Sequence, residues 1–299
     1  MKVVIIGYGS IGRKHAKILS QNFKKIKIYI YTKKTIKNFN CFKDINEIKT
    51  INPQYIIIAS ETHRHYKQLK FLEKNFKKIK ILIEKPLFHK FYNFSVKNNE
   101  VYTAYNFRFH PLVIRLKKFL KNKDIYDVNL ITNSYLPSWR KNISFKKNYA
   151  GFKSKGGGII LDLSHELDFL YSIFKKFKLK YVEFNKKSKL THDTEDNLKL
   201  YAQSKKTHIS VDLKYYSKNE IRIFLIDGKN FSVLLDLKNN VLKIQERRKT
   251  FLINKPFSQE DTLLEMHKVL INNKNRKFLC SFNQGKDVLK IIEKVKRFK

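Results

Sequence analysis

Short apolar runs separated by amphipathic segments dominate the first 120 or so residues of the chain. Apolar runs of this kind are typical of buried strands in a parallel sheet. The predicted strands are Lys2–Ile6, 26–31, 55–59, 79–83 and 101–105. The predicted helices lie at about 12–22, 62–75 and 111–120, with a further candidate between 84 and 100. Strands that alternate with helices predict a doubly wound parallel α/β sheet.

The pattern changes after about residue 122, where strand-like segments follow one another with few helices between them. The predicted strands are 127–134, 179–185, 195–203, 207–216, 220–227, 230–236 and 241–246. A polar and aromatic loop at 137–155 precedes a strongly amphipathic helix at about 157–174, and helices are also predicted at 258–273 and 284–297. We therefore predict two domains: a parallel α/β domain over 1–122 and an α+β domain with a mostly antiparallel sheet over 123–299.

The chain is strongly basic, with 64 Lys and Arg against 25 Asp and Glu in 299 residues, a formal charge of +39. Such a charge favours a nucleic-acid-binding interpretation, because Lys and Arg release counterions from phosphates. Coding bias is the alternative, since 54 of the basic residues are Lys, and Asn, Ile, Phe and Tyr, which also have A/T-rich codons, are abundant. The basic residues form no long block, so we expect the charge to reflect composition and to favour anionic ligands only by steering.

The sequence lacks features that are typical of membrane, secreted and disulfide-rich proteins. No apolar run reaches the roughly 18–20 residues that a membrane span needs, and the first residues lack the pattern of a cleavable secretory signal. The two cysteines, Cys41 and Cys280, provide neither a disulfide framework nor the spacing of a zinc site. We expect a reducing, cytoplasmic setting and no membrane partner.

Glycine is scarce, and six of its nine residues lie in two short segments. The first segment, Gly7-Tyr-Gly9-Ser-Ile-Gly12, fits the G-x-G-x-x-G pattern directly after a predicted strand and at the start of a predicted helix. In that context the first glycine makes a tight turn, the second lets a pyrophosphate approach the backbone, and the third packs helix against strand. An ordinary strand–helix turn is the alternative; we predict a dinucleotide site, with the phosphates at the helix N-terminus.

The end of the second predicted strand indicates which dinucleotide is bound. NAD sites usually place Asp or Glu about 20 residues beyond the glycines, where the carboxylate binds the ribose 2′-hydroxyl. Thr32, Lys33 and Lys34 stand there instead, and a hydroxyl with two ammonium groups suits a 2′-phosphate. We predict NADP as the preferred cofactor, with NAD as the alternative.

Two further stretches carry candidate catalytic residues. Lys85 follows the fourth predicted strand, so it is expected at the edge of the sheet where ligands bind, although a solvated lysine is the alternative. Asp162 and His165, after Gly156–158, would share one face of the predicted helix, and the carboxylate would orient an imidazole that titrates near neutrality. The alternatives are an ordinary polar helix face and a metal cluster; with no second ligand group at fixed spacing, we expect no metal.

These motifs together resemble the Gfo/Idh/MocA family of NAD(P)-dependent sugar and cyclitol oxidoreductases. The matching segments run in family order across both predicted domains: GYGSIG (7–12), IIIASETHRHY (56–66), ILIEKPL (81–87), YNFRFHP (105–111) and GGGIILDLSHELD (156–168). The resemblance implies an N-terminal Rossmann domain that binds NAD(P). It also implies a C-terminal domain with an open, largely antiparallel sheet, which covers the active site and often mediates oligomers.

The resemblance implies a role for individual residues. Lys85 corresponds to the family's catalytic lysine, and His165 to its acid/base partner, assisted by Asp162. Many members space that Asp and His by four residues rather than three, so it stays open which of Asp162, His165 and Asp168 contacts substrate. The expected cofactor-binding residues are Gly7, Gly9, Ser10, Ile11, Gly12, Thr32, Lys33, Lys34, Ser60, His65, Glu84 and Lys85. His65 could equally be only a residue of a helix N-terminus.

The expected substrate-binding residues are Asn106, Arg108, Trp139, Arg140, Tyr149, Asp162 and His165. SYLPSWR (134–140) with Tyr149 resembles the substrate loop of members found among surface-polysaccharide and nonulosonate sugar enzymes. The implied function is hydride transfer between nicotinamide and a sugar-like substrate (a sugar, sugar phosphate or nucleotide sugar) by a dimer or tetramer built on the C-terminal sheet. Redox-neutral chemistry with tightly held NAD, a non-catalytic cofactor-binding regulator or scaffold, and a nucleic-acid-binding protein remain alternatives.

Overall fold

The computed structural model of the chain describes residues 1–139 and 149–298. The strands are β1 (Lys2–Ile6), β2 (Lys27–Tyr31), β3 (Asn40–Phe42), β4 (Tyr55–Ile58), β5 (Lys80–Ile83), β6 (Glu100–Thr103), β7 (Ile125–Tyr135), β8 (Lys178–Asn185), β9 (Asn197–Ser204), β10 (Thr207–Lys214), β11 (Tyr216–Gly228), β12 (Phe231–Asp236), β13 (Val241–Glu246), β14 (Lys249–Asn254) and β15 (Cys280–Ser281). The α-helices are α1 (Ser10–Asn22), α2 (Ile48–Ile51), α3 (His65–Asn75), α4 (Pro111–Leu120), α5 (Ile159–Asp162), α6 (His165–Phe174), α7 (Gln259–Asn272) and α8 (Phe282–Lys296). No helix in these two ranges is both long and apolar enough to cross a membrane.

Residue contacts divide the chain into two compact units. Unit 1 comprises Met1–Phe109 and Ser258–Leu289, and unit 2 comprises His110–Phe257 and the end of the chain from Lys290. The predicted boundary near residue 122 differs from this division in two ways: α4 belongs to unit 2, and a C-terminal segment returns to unit 1. The return has a physical cause, since Leu263, Met266 and the other apolar side chains of α7 join the buried core around β1 and α1.

Unit 1 is built on a sheet whose strand order is β15-β6-β5-β4-β1-β2-β3. All neighbours in it are parallel except β15, which pairs antiparallel to β6. The central strand β1 is apolar and Val3 to Ile6 are fully buried, as expected for a strand covered on both faces. The chain moves outward from β1 in both directions, so the carboxyl ends of β1 and β4 flank the point of the sheet where ligands bind in such folds.

Unit 2 is built on a second sheet with the order β14-β13-β12-β11-β7-β10-β9-β8. Its neighbours are antiparallel except for the parallel pair β7 and β10. Helix α6 is held to the sheet by Glu166, a fully buried carboxylate that accepts a hydrogen bond from Thr132 at 2.7 Å and lies 3.0 Å from the Arg222 guanidinium. The predicted fold class, a doubly wound parallel sheet followed by a mostly antiparallel α+β domain, is confirmed.

Two predicted helices differ from the structure. The candidate between 84 and 100 does not form, because the Glu73 carboxylate accepts hydrogen bonds from the backbone N–H groups of Lys97 and Asn98 at 3.0 and 3.1 Å and holds that segment as a loop. The helix predicted over 157–174 is two helices, α5 and α6, interrupted at Leu163 and Ser164. Three strands, β3, β14 and β15, were not predicted. Of these, β3 and β15 are too short to show an alternating pattern.

Candidate functional site

The glycine turn after β1 has the geometry that a dinucleotide-binding turn requires. Gly7 has a φ of 100° and donates its N–H to the carbonyl of Tyr31 at 3.0 Å, which binds the turn to β2. A Cβ on Gly12 would lie 2.2 Å from the Gly7 carbonyl oxygen, whereas a Cβ on Gly9 would meet no atom within 4 Å. Gly12 is therefore required by the packing of α1 on the turn, while the space above Gly9 is open for a ligand.

The N-terminus of α1 is suited to an anion. Gly9 is the N-cap residue, so no side chain caps the first N–H groups, and the first turn contains no acidic residue. Ser10 is exposed and Ile11 is half-buried beside it. Unpaired N–H groups and the helix dipole together favour phosphate oxygens, so these residues fit the pyrophosphate of a dinucleotide.

The segment after β2 carries the residues that suit a 2′-phosphate. Lys33 and Lys34 are exposed, and Thr32 is half-buried with its hydroxyl accepting the N–H of Lys34 at 3.2 Å. The backbone N–H of Thr32 donates to the carbonyl of Phe42 in β3, which fixes the position of the turn. No carboxylate stands at this strand end, in agreement with the sequence.

His65 connects the loops that follow β4 and β5. Its Nε2 lies 3.1 Å from the carbonyl of Ser60, and its Nδ1 lies 3.2 and 3.3 Å from the carbonyls of Pro86 and Leu87. Burial lowers the pKa of His65 from its usual 6.5, although these carbonyls act in the opposite direction. The ring is 1% exposed, so His65 holds the two loops together from inside, and the Ser60 hydroxyl donates to Gln68 at 2.7 Å.

Lys85 lies at the carboxyl end of β5, between Glu84 and a cis-peptide-linked Pro86. Its side chain is half-buried, and its backbone N–H donates to Glu84 Oε2 at 3.2 Å. Glu84 is 7% exposed and its other oxygen, Oε1, lies 2.9 Å from His15 Nε2. Unit 1 therefore brings the glycine turn, the Ser60 loop and Lys85 to the carboxyl ends of three adjacent strands, β1, β4 and β5.

Unit 2 contains a second buried cluster, centred on Asp162. The hydroxyl of Tyr149 donates to Asp162 Oδ1 at 2.6 Å, and the hydroxyl of Tyr215 donates to Oδ2 at 2.7 Å. Burial and the adjacent carboxylate raise the pKa of Tyr215 well above its usual 10.0. Trp139 packs edge-on against Tyr215 with ring centroids 5.1 Å apart. Sequence reasoning missed Tyr215, because a tyrosine at the end of an apolar strand carries no signal of a site.

Gly157 explains how Tyr149 reaches Asp162. A Cβ at residue 157 would lie 2.3 Å from the Tyr149 carbonyl oxygen, so only glycine allows the backbone of that segment to pass so close. Asp162 is the last residue of α5 and His165 is the first of α6, with a break between them. The sequence predicted that the two side chains share one continuous helix face, and this prediction is wrong. Both side chains are buried, as is that of Asp168.

Three predicted substrate-binding residues remain. Asn106 is buried in unit 1 and donates its amide to Thr262 Oγ1 of α7 at 2.6 Å. Arg108 is also buried in unit 1 and donates to the carbonyl of Leu279 and to Gln284. Both side chains contact the segment that returns from the C-terminus. Arg140 lies outside the described residues.

No metal centre is present in the part of the chain that the structure describes, since no three His, Cys, Asp or Glu side chains are grouped to hold an ion. Cys41 is half-buried and Cys280 is buried, and neither takes part in a disulfide within the described residues.

Comparison with known proteins agrees with this geometry. Residues 1–95 match the Gfo/Idh/MocA model, described as an oxidoreductase family with an NAD-binding Rossmann fold. No curated protein matches the chain in sequence.

Solved structures share the fold over the full length of the chain at low sequence identity. Levoglucosan dehydrogenase in complex with NADH superposes with a TM-score of 0.82 and 17% identity, covering 99% of this chain and 97% of that one. UDP-N-acetylglucosamine 3-dehydrogenase GnnA from Acidithiobacillus ferrooxidans gives 0.76 and 15%, covering 99% and 96%. The dehydrogenase MviM from Clostridium difficile gives 0.73 and 17%, covering 99% and 98%.

The match of residues 1–95 to the Gfo/Idh/MocA oxidoreductase model and the fold shared with solved dehydrogenases over the whole length agree with the motifs in the sequence.

Proposed function

We propose that the protein is an NAD(P)-dependent oxidoreductase that acts on a CH–OH group of a sugar-like substrate. One observation carries this proposal: the glycine turn, with its open space above Gly9, and Lys85 lie at the carboxyl ends of β1 and β5, the two strands that pair with β4 on either side. A dinucleotide held by that turn would have its reactive ring near the end of the same sheet. Two similar structures are enzymes named for levoglucosan and UDP-N-acetylglucosamine, which supports a sugar or nucleotide sugar.

The nicotinamide, when bound, exchanges a hydride with the substrate carbon. As the C–H bond breaks, the hydroxyl O–H also breaks, and a C=O bond forms. The protein must take up that proton, and we assign this task to the Lys85 amine, with His165 as its acid/base partner and Asp162 assisting. Positioned proton acceptors of this kind contribute about 10²- to 10⁴-fold to such rates.

We assign substrate binding to the side chains around Asp162. Tyr149, Trp139 and the break between α5 and α6 gather hydroxyl, indole and carboxylate groups at one place, and sugars are bound by such mixtures of polar and aromatic groups. Arg140, which follows Trp139 in the sequence, keeps its proposed role in substrate binding. For Asn106 and Arg108 we propose a structural role instead. Their side-chain N–H groups donate to Thr262 and Leu279, so they fix the returning C-terminal segment to the rest of unit 1.

We propose NADP rather than NAD as the preferred cofactor. The exposed residues Lys33 and Lys34 directly follow Thr32, and no carboxylate is there to bind a ribose 2′-hydroxyl. The NADPH Kd should be lower than the NADH Kd, and replacing both lysines with alanine should remove most of the difference. Fluorescence titration measures both constants. Tighter binding of NADH by the wild-type protein would contradict the preference.

The experiment that tests the proposed function combines binding with turnover. The protein should bind NADPH or NADH, and a thermal-shift screen with the bound dinucleotide should identify a ligand among sugars, sugar phosphates and nucleotide sugars, because a ligand of the native state raises its Tm. The same compound should then be oxidised or reduced with a stoichiometric change in NAD(P)H absorbance. Dinucleotide binding without hydride exchange to any compound would instead support a regulator.

We also propose that the protein works in the cytoplasm and takes part in the synthesis of sugars for surface polysaccharides. We further propose that it forms a homo-oligomer through the second sheet. Cross-strand pairing places Tyr181, Tyr201 and Ser210 on one face of the sheet, where the two tyrosines are 49% and 56% exposed. Light scattering coupled to gel filtration should give a dimer or tetramer, and Tyr201→Glu should shift it toward monomer. A monomeric wild-type protein at micromolar concentration would contradict this.

A further inference from the structure

A row of four buried polar side chains runs through unit 1 and ends beside Lys85. Tyr55 Oη lies 3.0 Å from His267 Nδ1, His267 Nε2 lies 2.8 Å from His15 Nδ1, and His15 Nε2 lies 2.9 Å from Glu84 Oε1. Tyr55, His15 and His267 are at most 1% exposed, and Glu84 is 7% exposed. The proton transfer proposed above uses none of Tyr55, His15 and His267, so their polar groups in the core require another explanation.

The row is satisfied when every donor points toward Glu84. In that arrangement the Glu84 carboxylate accepts Nε2–H of His15, which leaves His15 Nδ1 as an acceptor for Nε2–H of His267. The remaining nitrogen, His267 Nδ1, then accepts the hydroxyl of Tyr55. Burial and the neighbouring His15 lower the pKa of His267 well below its usual 6.5, and burial and Glu84 raise the pKa of Tyr55, so both groups are neutral at neutral pH.

Glu84 in turn connects two parts of the proposed cofactor site. Its Oε1 is bonded to His15 of α1, the helix that begins at the glycine turn, and its Oε2 accepts the backbone N–H of Lys85. A buried carboxylate needs such donors, and losing one costs its desolvation without compensation. His65 also interacts electrostatically with Glu84, and burial lowers the pKa of this histidine. The orientation of the Lys85 turn relative to α1 thus depends on this carboxylate.

We propose that His15 and His267 are positioning residues for dinucleotide binding: acting through Glu84, they hold the Lys85 turn and the start of α1 in the geometry that the cofactor requires. Helix α7, which returns from the C-terminal part of the chain, is by this inference part of the cofactor site through His267. The inference rests on the proposed function, because it concerns the same site.

The test compares two substitutions, each of which removes one hydrogen bond between α7 and the rest of unit 1. His267→Leu removes the donor to His15, while Lys80→Met removes the bond of 2.6 Å from Lys80 Nζ to the Leu270 carbonyl of α7. Lys80 begins β5 and Glu84 follows its last residue, so the control leaves the row intact. His267→Gln is the conservative variant, because its amide can still donate to His15 Nδ1.

Titration with NADPH and NADH measures the Kd, and thermal unfolding measures the Tm of each variant. We expect His267→Leu to raise the dinucleotide Kd about tenfold and His267→Gln to restore most of the affinity. Lys80→Met should lower the Tm and leave the Kd unchanged. If His267→Leu does not fold, the same comparison is made with His15→Leu and His15→Gln, since the glutamine can still donate to Glu84.

The inference is overturned if the leucine variants and Lys80→Met lower the Tm alike and none of them changes the dinucleotide Kd, because α7 then only stabilises the fold. It is also overturned if the leucine and glutamine variants weaken binding equally. Failure of the proposed function gives a different result: the wild-type protein would bind neither dinucleotide, or it would bind one without hydride exchange, and in the second case the comparison of Kd values still tests the role of His267.

Discussion

Replacing Lys85 with alanine is expected to lower kcat about 10³-fold, which is within the range of general acid–base catalysis, while the dinucleotide still binds. The expectation follows from the position of Lys85 at the carboxyl end of β5, half-buried and directly after Glu84. Its backbone N–H, which Glu84 accepts, is retained in alanine, so the turn should keep its shape. Single-turnover kinetics with the substrate identified by the screen measure the effect on the chemical step.

Two comparisons separate proton transfer from charge. Lys85→Arg keeps a cation but has a guanidinium that stays protonated at neutral pH, so it should bind dinucleotide and remain slow. Added primary amines should restore part of the rate of Lys85→Ala, since they can enter the space left by the side chain. Lys97→Ala, which changes an exposed lysine of the following loop, should behave as wild type. A Lys85→Ala protein with nearly wild-type kcat would contradict the catalytic assignment.

Features that depend on neighbouring residues could be predicted from the sequence. The parallel strands of unit 1 appear as short apolar runs because both faces of that sheet are buried, and the glycine turn appears because three glycines in a scarce background mark a backbone constraint. Lys85 could be placed at the sheet edge by the same logic, since it follows one of those runs directly.

Features that depend on residues distant in sequence could not be predicted. Glu73 converts the segment around Lys97 into a loop from more than twenty positions away, and periodicity is insensitive to such a contact. The return of α7 to unit 1, and with it the contact between His267 and His15, arises from burial of an apolar helix face whose partner the pattern does not identify. Periodicity could not show the end of α5 at Asp162 either, because apolar residues recur at helical spacing on both sides of the break.

The cluster around Asp162 shows how this limits the prediction of a site. Asp162, Tyr149 and Trp139 were named from motifs, but Tyr215, which donates to the same carboxylate, was not. Asp162 accepts hydroxyl groups on both oxygens, and it ends α5 whereas His165 begins α6. The residue types were predictable, whereas their arrangement required the tertiary structure.

Alanine at Gly9 and at Gly12 should have opposite effects on stability and similar effects on cofactor binding. Gly9 has φ −76° and ψ −164°, which alanine adopts freely, and its Cβ would meet no protein atom within 4 Å. Gly9→Ala should therefore keep or slightly raise the Tm, yet raise the dinucleotide Kd about 10- to 100-fold, because the methyl group occupies the space for the pyrophosphate.

At Gly12 the added Cβ would lie 2.2 Å from the Gly7 carbonyl oxygen, so α1 must move away from the turn. Gly12→Ala should cost about 1–3 kcal/mol in the free energy of unfolding and should also weaken dinucleotide binding, because the helix N-terminus moves with it. Thermal unfolding without ligand and fluorescence titration with NADPH distinguish the two cases. If Gly9→Ala keeps its Tm and binds dinucleotide as well as the wild-type protein, the cofactor does not approach the backbone at Gly9, and the turn is only a structural connection between β1 and α1.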